Sequence, residues 1–380
     1  MLQLPPLSLY IHIPWCIEKC PYCDFNSHKL RGEIPERAYL EALLADLNID
    51  LIYAQGRILD TIFIGGGTPS LISSSGIAWL LREIEKKIAF KTDIEITLEA
   101  NPGAIENSKI AEFKQAGITR FSFGVQSFQQ QKLTRLGRIH GVEEAKSAAL
   151  QAKQSGVSTF NLDLMHGLPD QSLEDALFDL QTAIDLAPTH LSWYQLTIEP
   201  NTQYFSHPPT LPEDELLWEI QQAGQKLLAD NGYQQYEISG YCQSGFECQH
   251  NLNYWSFSDY IGIGCGAHGK LTLPLENKII RTTKVKHPKG YLETSRPFID
   301  NSHRVEQEDL AFEYMINRMR LFAPIPFSEF ERYTGLSVDA IAVPIQIAID
   351  KKLLLQHHDH WLMTELGHRY LNELLQLFMD

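Results

Sequence analysis

Leu7-Ser8-Leu9-Tyr10-Ile11-His12-Ile13-Pro14-Trp15-Cys16-Ile17-Glu18-Lys19-Cys20-Pro21-Tyr22-Cys23-Asp24-Phe25 carries two signals in succession. Leu7, Leu9, Ile11 and Ile13 alternate with Ser8, Tyr10 and His12, the period of a β-strand with two unlike faces. Directly after it Cys16, Cys20 and Cys23 stand at i, i+4 and i+7. That spacing could share a helix face, but Pro14 and Pro21 argue against a helix, so a loop just past a strand end is expected. Three thiolates in a short loop can wrap a compact inorganic cluster. On a four-iron cube they would leave one iron open to bind and activate a substrate. Structural zinc is a weaker reading: it takes four N or S ligands, usually as two separated pairs, and no second Cys-x-x-Cys exists here. Three unrelated buried thiols fit the spacing poorly.

Working outward, further β-rich runs follow at Thr61–Ile64, Ile94–Ala100, Ile118–Val125, Thr159–Met165 and His190–Ile198. Amphipathic stretches separate them at Glu36–Ala54, Ser73–Ile88, Ser108–Ala116, Val142–Ser155 and Leu173–Leu186, and Glu213–Asp230 adds another. Strands with helical crossovers imply a parallel α/β sheet, either open and doubly wound or closed as a complete or partial (β/α) barrel. Glu99, Gln126, Asp163 and His166 cluster at strand C-termini, where barrel enzymes build their sites, and this favours the barrel. Open sheets also bind ligands at strand ends.

After Gly232 the βα rhythm stops. Three units are expected: a barrel over 1–232, a linker or binding region over 233–304, and a C-terminal unit over 305–380. The last reads as three helices, Glu308–Leu321, Ser328–Tyr333 and Val338–Lys351, and an apolar strand, Leu353–Thr364, in the manner of a winged helix. Residues 306–380 hold 6 Lys/Arg against 12 Asp/Glu, so a DNA-binding role is not expected of it, and a packing or partner module is. The whole chain is acidic, with 32 basic and 47 acidic residues and a formal charge of −15, which argues against a broad nucleic-acid surface. At 44% hydrophobic and 21% charged, its 380 residues are those of a globular protein. The N-terminus has no basic segment before an apolar run and contains Pro5 and Pro6, so no signal peptide is read. No apolar run approaches the ~18–20 residues of a membrane span. A reducing cytoplasm with free thiols is the expectation.

The Cys-x-x-x-Cys-x-x-Cys motif after the first strand of a (β/α) pattern resembles the radical S-adenosylmethionine (SAM) superfamily. The resemblance implies a [4Fe–4S] cluster whose open iron chelates the amino and carboxylate groups of SAM. It also implies a partial (β/α)6 barrel. Gly65-Gly66-Gly67-Thr68-Pro69 follows the second strand, where the superfamily places the turn that lets backbone approach SAM. Glu99 ends strand three, Gln126 follows strand four, Arg138 lies in Leu136-Gly137-Arg138, and Asp163 sits in strand five. Singly, Glu99 and Asp163 could be satisfied interior carboxylates and Arg138 a helix-end cation. As a set at successive strand ends they suit a sulfonium ligand with an amine, a carboxylate and a ribose diol.

Tyr10-Ile-His-Ile-Pro-Trp-Cys, Gly-Gly-Gly-Thr-Pro and Leu162-Asp-Leu-Met-His-Gly-Leu-Pro169 together resemble the anaerobic coproporphyrinogen III dehydrogenases and their relatives, the HemW heme chaperones. That resemblance implies cluster ligation by Cys16, Cys20 and Cys23. It implies SAM contacts from Tyr10, Tyr22, Gly66, Gly67, Thr68, Glu99, Gln126, Arg138 and Asp163. The dehydrogenases look like CxxxCxxCxC, where this sequence has Phe25, and carry a longer arm than the nine residues before Tyr10. Both departures count against that activity, a SAM-derived 5′-deoxyadenosyl radical acting on propionate side chains. His250-Asn251-Leu252-Asn253-Tyr254-Trp255 matches the HNxxYW motif of the chaperone branch, which implies heme binding with His250 as an axial ligand. Imidazole suits heme iron, Tyr254 and Trp255 can pack on a flat macrocycle, and Asn251 could orient the ring. A structural histidine in an aromatic-rich turn is the plain alternative. Cys248 could add a second ligand, although an inert thiol suits it better, and Cys242 and Cys265 read as structural. Gly262-Ile-Gly-Cys-Gly-Ala-His268-Gly269 is a tight turn whose His268 could face the cluster. The run Lys278, Arg281, Lys284, Lys286, Lys289 could meet propionates, an acidic partner or an anionic membrane, or be a solvated hairpin. The expected partners are heme and acceptor hemoproteins such as electron-transport proteins, with a homodimer and peripheral membrane contact as further expectations.

Overall fold

The computed structural model describes residues 2–104, 109–293 and 295–379. Ser108, where the third helix was expected to begin, lies outside the described residues. Six strands, β1 Leu7–Ile13, β2 Leu59–Gly66, β3 Phe90–Ala100, β4 Arg120–Gln126, β5 Thr159–His166 and β6 His190–Gln195, lie side by side in chain order, each parallel to the next. A doubly wound sheet reverses its strand order at a switch point. Here the order never reverses, so the chain winds in one sense as in a (β/α) barrel. The crossovers include α1 Glu36–Asp50, α2 Ser74–Glu85, α3 Lys109–Gln115, α4 Gln130–Arg135, α5 Val142–Ser155 and α6 Leu173–Asp185.

The alternation in the strands decides what each face does. Leu9 and Ile11, Ile62 and Ile64, Ile96 and Leu98, and Phe121 and Phe123 are buried with Tyr39, Leu43, Ile77, Leu80 and Ala149 of the crossover helices in one core. Truncating one such leucine or isoleucine to alanine costs about 2–5 kcal/mol. The opposite face is buried yet polar, and its groups bond across strands. Ser8 Oγ meets Thr61 Oγ1 at 2.7 Å, Asn161 Nδ2 donates to Ser122 Oγ at 2.8 Å, and His190 Nδ1 meets Asn161 Oδ1 at 2.7 Å.

Residues 233–304 extend this sheet at both edges. β7 Gln234–Glu237 and β8 Gly240–Cys242 form an antiparallel pair against β6. α7, the helix Gln249–Trp255, packs against β1 and β2. β9 Asp259–Ile263 then pairs parallel with β1, Tyr10 opposite Gly262, and β10 His268–Leu273, β11 Lys278–Lys284 and β12 Ile299–Arg304 continue antiparallel to a twelve-stranded sheet. The basic run is largely neutralised by this folding. Lys284 is buried between Asp46 at 2.5 Å and Asp50 at 2.7 Å of α1, and Arg281 pairs with Glu313. Lys286 and Lys289 remain exposed.

The C-terminal unit has its own core, with Tyr314, Met315, Phe330, Ile345, Trp361 and Leu374. The three expected helices are Leu310–Arg318, Phe327–Thr334 and Ala342–Asp350, the last preceded by a 3-10 turn over Val338–Ile341, and two short helices that were not expected, Glu365–Arg369 and Leu371–Gln376, follow. The expected single strand Leu353–Thr364 is instead a hairpin, Leu354–Gln356 and His360–Met363, completed by Ile325–Pro326. The polar His357-His358-Asp359 breaks the apolar run, and His357 N–H closes the reversal on His360 O at 2.9 Å. No helix among the described residues is long and apolar enough to cross a membrane.

Candidate functional site

Beyond β1 the chain runs as a loop, as the two prolines require. Trp15–Cys16 pairs with His28–Lys29, and Cys23 N–H turns back on Cys20 O at 3.1 Å. Cys16, Cys20 and Cys23 are free and half-buried. Arg138 Nη1 donates to Cys20 Sγ at 3.6 Å, Ser27 Oγ lies 3.8 Å from Cys23 Sγ, and Thr68 bonds Cys16. Burial pushes the Cys16 and Cys23 thiols up, and the neighbouring sulfurs push them further. Among the described residues no three His, Cys, Asp or Glu side chains converge as ligands of a single metal ion. A cube takes one thiolate on each iron, so its ligands stand around it instead of meeting at a point. The loop, with hydrogen-bond donors already aimed at its sulfurs, fits that demand.

The glycine turn is stapled to the same loop. Gly67 N–H donates to Ile13 O at 2.7 Å and Thr68 N–H to Trp15 O at 2.8 Å. Gly66 has φ 111°, and a Cβ there would stand 2.5 Å from the His12 ring; one on Gly67 would stand 2.5 Å from Trp15 O. Only glycine lets this backbone lie flush against the strand end, leaving room for a ligand to reach it. Gly66 N–H donates to Glu99 Oε2 at 3.0 Å. Glu99, Tyr10 and Gly66 line a cavity of about 340 Å³, within the usual range for small-molecule sites. Burial and the nearby Asp163 raise the Glu99 carboxyl to about 8, and burial raises the Tyr10 phenol.

The remaining expected SAM residues are not among the residues that line that cavity. Arg138 links Cys20 to Gly124 O, 2.5 Å from Nη2, and also bonds Tyr22. Gln126, at φ 70°, accepts from Tyr194 at 2.9 Å. Asp163 is anchored by Ser122 at 3.0 Å and Asn161 at 2.7 Å. Tyr10, Gly66 and Glu99 thus share the cavity, Tyr22 and Arg138 gather at Cys20, Gln126 ends β4, and Asp163 lies within β5.

The HNxxYW segment forms α7. Its N-terminus is held by Glu95, which accepts from Gln249 N–H at 3.1 Å, His250 N–H at 3.0 Å and the Cys248 thiol at 3.5 Å. His250 is 0% exposed. Its Nδ1 meets Thr61 Oγ1 at 2.7 Å, and its Nε2 has no hydrogen-bond partner among the described residues. Burial and the Arg120 cation lower its imidazole to about 3. Asn251 bonds Tyr236, so the group orienting the imidazole is Thr61. Trp255 lies under the Arg320 guanidinium at 4.2 Å, away from the cavity lining. Tyr254 does line the cavity, edge-on to His250 at 4.6 Å and to Tyr260 at 4.5 Å. Burial raises the Cys248 thiol to about 12.

Sequence reasoning missed His12, Asn26 and Tyr260 as lining residues. His12 was signalled: it shares the polar face of β1 with Tyr10, whose hydroxyl lies 2.9 Å from its Nδ1. Its Nε2 lies 2.9 Å from Asn26 O, and burial lowers the imidazole to about 4. Tyr260 had no local signal, because the β9–β1 pairing alone brings it there.

The sequence model of the radical SAM superfamily matches residues 10–180, and that of the HemN C-terminal domain matches residues 305–370. The chain is 55% identical to "Heme chaperone HemW" of Escherichia coli K12 over 379 residues, covering 100% of both chains. It is 55% identical over 383 residues to the protein of that name from Haemophilus influenzae, covering 100% of this chain and 99% of the other. Among solved structures it is similar to the coproporphyrinogen III oxidase HemN of Escherichia coli, described as a radical SAM enzyme, with a TM-score of 0.84 and 22% identity over 99% of this chain and 91% of that one. The last likeness concerns the fold alone.

Proposed function

The chain belongs to the HemW family of the radical SAM superfamily, and from this we infer that it is a heme chaperone: it binds heme and passes it to acceptor hemoproteins, carrying a three-cysteine [4Fe–4S] cluster and exchangeable SAM. Cys16, Cys20 and Cys23 hold the cluster, with Arg138, Ser27 and Thr68 donating to the sulfurs. When bound, the cluster supplies an open iron for the amino and carboxylate groups of SAM. The turn Gly66–Thr68 offers close backbone, and Glu99, Gln126, Arg138 and Asp163 supply the polar side chains. A Glu99 carboxyl raised to about 8 gives up its proton readily when a cationic amine or sulfonium arrives, since the new charge offsets its burial.

One observation carries the heme half of this reading. Tyr254 of the HNxxYW helix and Tyr10 and Glu99 of the barrel line a single cavity. Tyr254 thus brings the HNxxYW helix to the cavity that the barrel motifs line, which supports heme binding next to SAM. His250 Nε2, unpartnered behind Tyr254, supplies an iron ligand once α7 shifts on the strands. Among the described residues Lys286 and Lys289 make no ion pair, and they are the cations of the basic run offered to propionates or an anionic membrane surface. The compartment is the cytoplasm, whose reducing conditions protect an open cluster.

The test is anaerobic cluster reconstitution followed by heme and, separately, by coproporphyrinogen III. A Soret band, and its loss to an added apo-hemoprotein, are expected. Serine at Cys16, Cys20 or Cys23 removes the iron–sulfur absorption, whereas serine at Cys242 or Cys265 leaves it. Turnover of coproporphyrinogen III to protoporphyrinogen, or no heme binding, overturns the chaperone reading.

A further inference from the structure

The heme reading leaves open which nitrogen reaches the iron when heme first enters, and the three imidazoles around the cavity differ in that respect. His250 is sealed: its ring is wedged between Phe63 at 5.1 Å and Tyr254 at 4.6 Å, and Glu95 pins its helix. A macrocycle cannot come to bonding distance of its Nε2 without moving α7. His12 lines the cavity, but both ring nitrogens are engaged, with Tyr10 and with Asn26 O.

His268 differs from both. It begins β10, lines the cavity and is exposed. Among the described residues its ring is bonded at Nδ1 alone, to Thr283 Oγ1 at 3.4 Å, which leaves Nε2 open. That arrangement selects the geometry of a metal-binding imidazole, one nitrogen oriented by a neighbour and the other directed outward. Although its edge is exposed, the part packed against the turn and the nearby Lys286 and Arg281 charges hold the imidazole below its usual value.

The chain around His268 is also rigid. Gly264 and Gly266 have φ 103° and 77°, and a Cβ on Gly266 would stand 2.1 Å from Asn26 Nδ2. Asn26 in turn donates to Cys265 O at 2.9 Å and Lys286 O at 3.0 Å. The turn carrying His268 is therefore fastened to the loop that carries the cysteines. At the same mouth Phe25 is 58% exposed, Tyr260 adds a second aromatic wall, and the Lys286 charge, with Arg281 already paired to Glu313, reaches the imidazole. Aromatic walls, cations and an outward imidazole are what a flat dianionic iron macrocycle requires.

We propose that His268 Nε2 is an axial ligand of heme iron bound at the mouth of this cavity, the ligand available without any movement of α7. The inference rests on the heme reading above and adds to it a site that the HNxxYW motif does not contain.

Ferric heme is titrated into the full-length, cluster-reconstituted wild type and His268→Ala, followed by the Soret band and by electron paramagnetic resonance of the ferric iron. His268→Ala is expected to weaken heme binding by about ten- to a hundredfold, the loss met when a metal site loses a supporting group. It also shifts the Soret band, and added imidazole restores the wild-type spectrum. Retained iron–sulfur absorption in the variant shows that its fold is intact. A His268→Ala variant with wild-type affinity and spectrum overturns the assignment, as does loss of binding that imidazole does not restore. Absence of a Soret band in the wild type itself overturns the heme reading instead.

Discussion

Gly66→Ala tests the local fold and the cavity together. Alanine at φ 111° occupies backbone space that L-residues avoid, at a cost of about 1–3 kcal/mol. Its Cβ would also lie 2.5 Å from His12 Cε1 and 2.7 Å from both ring nitrogens. The ring cannot step aside freely, because Tyr10 Oη and Asn26 O hold its two nitrogens at 2.9 Å each. Overpacking of that kind costs about 1–3 kcal/mol more. The combined loss is about 2–6 kcal/mol, against the ~5–15 kcal/mol that stabilises a typical domain.

The assay is urea unfolding of the ligand-free chain, with Gly56→Ala as control. Gly56 has φ 79° but nothing within 4 Å of a Cβ, so its substitution carries the backbone cost alone. A double-mutant cycle with His12→Ala separates the two contributions. Removing the ring should recover about 1–3 kcal/mol of the Gly66→Ala loss as coupling. Additive effects at the two positions, or a Gly66→Ala variant no worse than Gly56→Ala, would refute the reasoning.

Two further outcomes follow from buried charge. Lys284→Met leaves the Asp46 and Asp50 carboxylates buried without their cation and should cost about 3–5 kcal/mol in unfolding free energy. Burial already pushes both carboxyls up, so acidification neutralises them and the deficit shrinks as pH falls; a deficit that grows in acid refutes this account. Glu99 has a folded value of about 8 above an ordinary 4.5, so its contribution to stability is whole below about 4.5 and lost as pH rises through about 8. Glu99→Gln should therefore raise the melting temperature of the ligand-free chain relative to wild type near pH 9 and leave it little changed near pH 4. Equal shifts at both pH values would sink the burial explanation.

What could be read from the sequence was whatever repeats locally. The alternation in Leu7–Ile13 marked one face for the helices and the other for Tyr10 and His12, and the structure uses them so. Strand ends with Gly65-Gly66-Gly67, Glu99 and Gln126 were visible because a polar residue closing an apolar run is a local event. Pairings between distant segments were not visible. Lys284 looked like a surface cation because its partners Asp46 and Asp50 lie on α1, where helix carboxylates ordinarily face water. His250 looked available because its motif is polar and aromatic; its burial depends on Thr61 and Phe63 of β2. The C-terminal hairpin was read as one strand because Leu353-Leu354-Leu355 and Trp361-Leu362-Met363 are both apolar; of the five polar residues between them, His357, His358 and Asp359 make the turn.

The parallel pairing of β9 with β1 places two kinds of residue around one strand end. On one side of β1, β2 delivers the glycine turn, fixed to Ile13 and Trp15 by backbone bonds. On the other side, β9 delivers Tyr260 and leads into the Gly264–His268 turn, fixed to Asn26. The first wall has little freedom: Gly66 and Gly67 admit no Cβ, and Glu99 is tied to Gly66 N–H. The second wall is built from side chains, Tyr254, Tyr260 and His268, on a segment that the barrel winding does not constrain. A barrel that keeps the first wall and varies the second can hold the same cluster and cofactor while changing what else enters. Substitutions in residues 254–268 should therefore alter the choice of large ligand more than the binding of SAM, and that division follows from which side of β1 each wall hangs on.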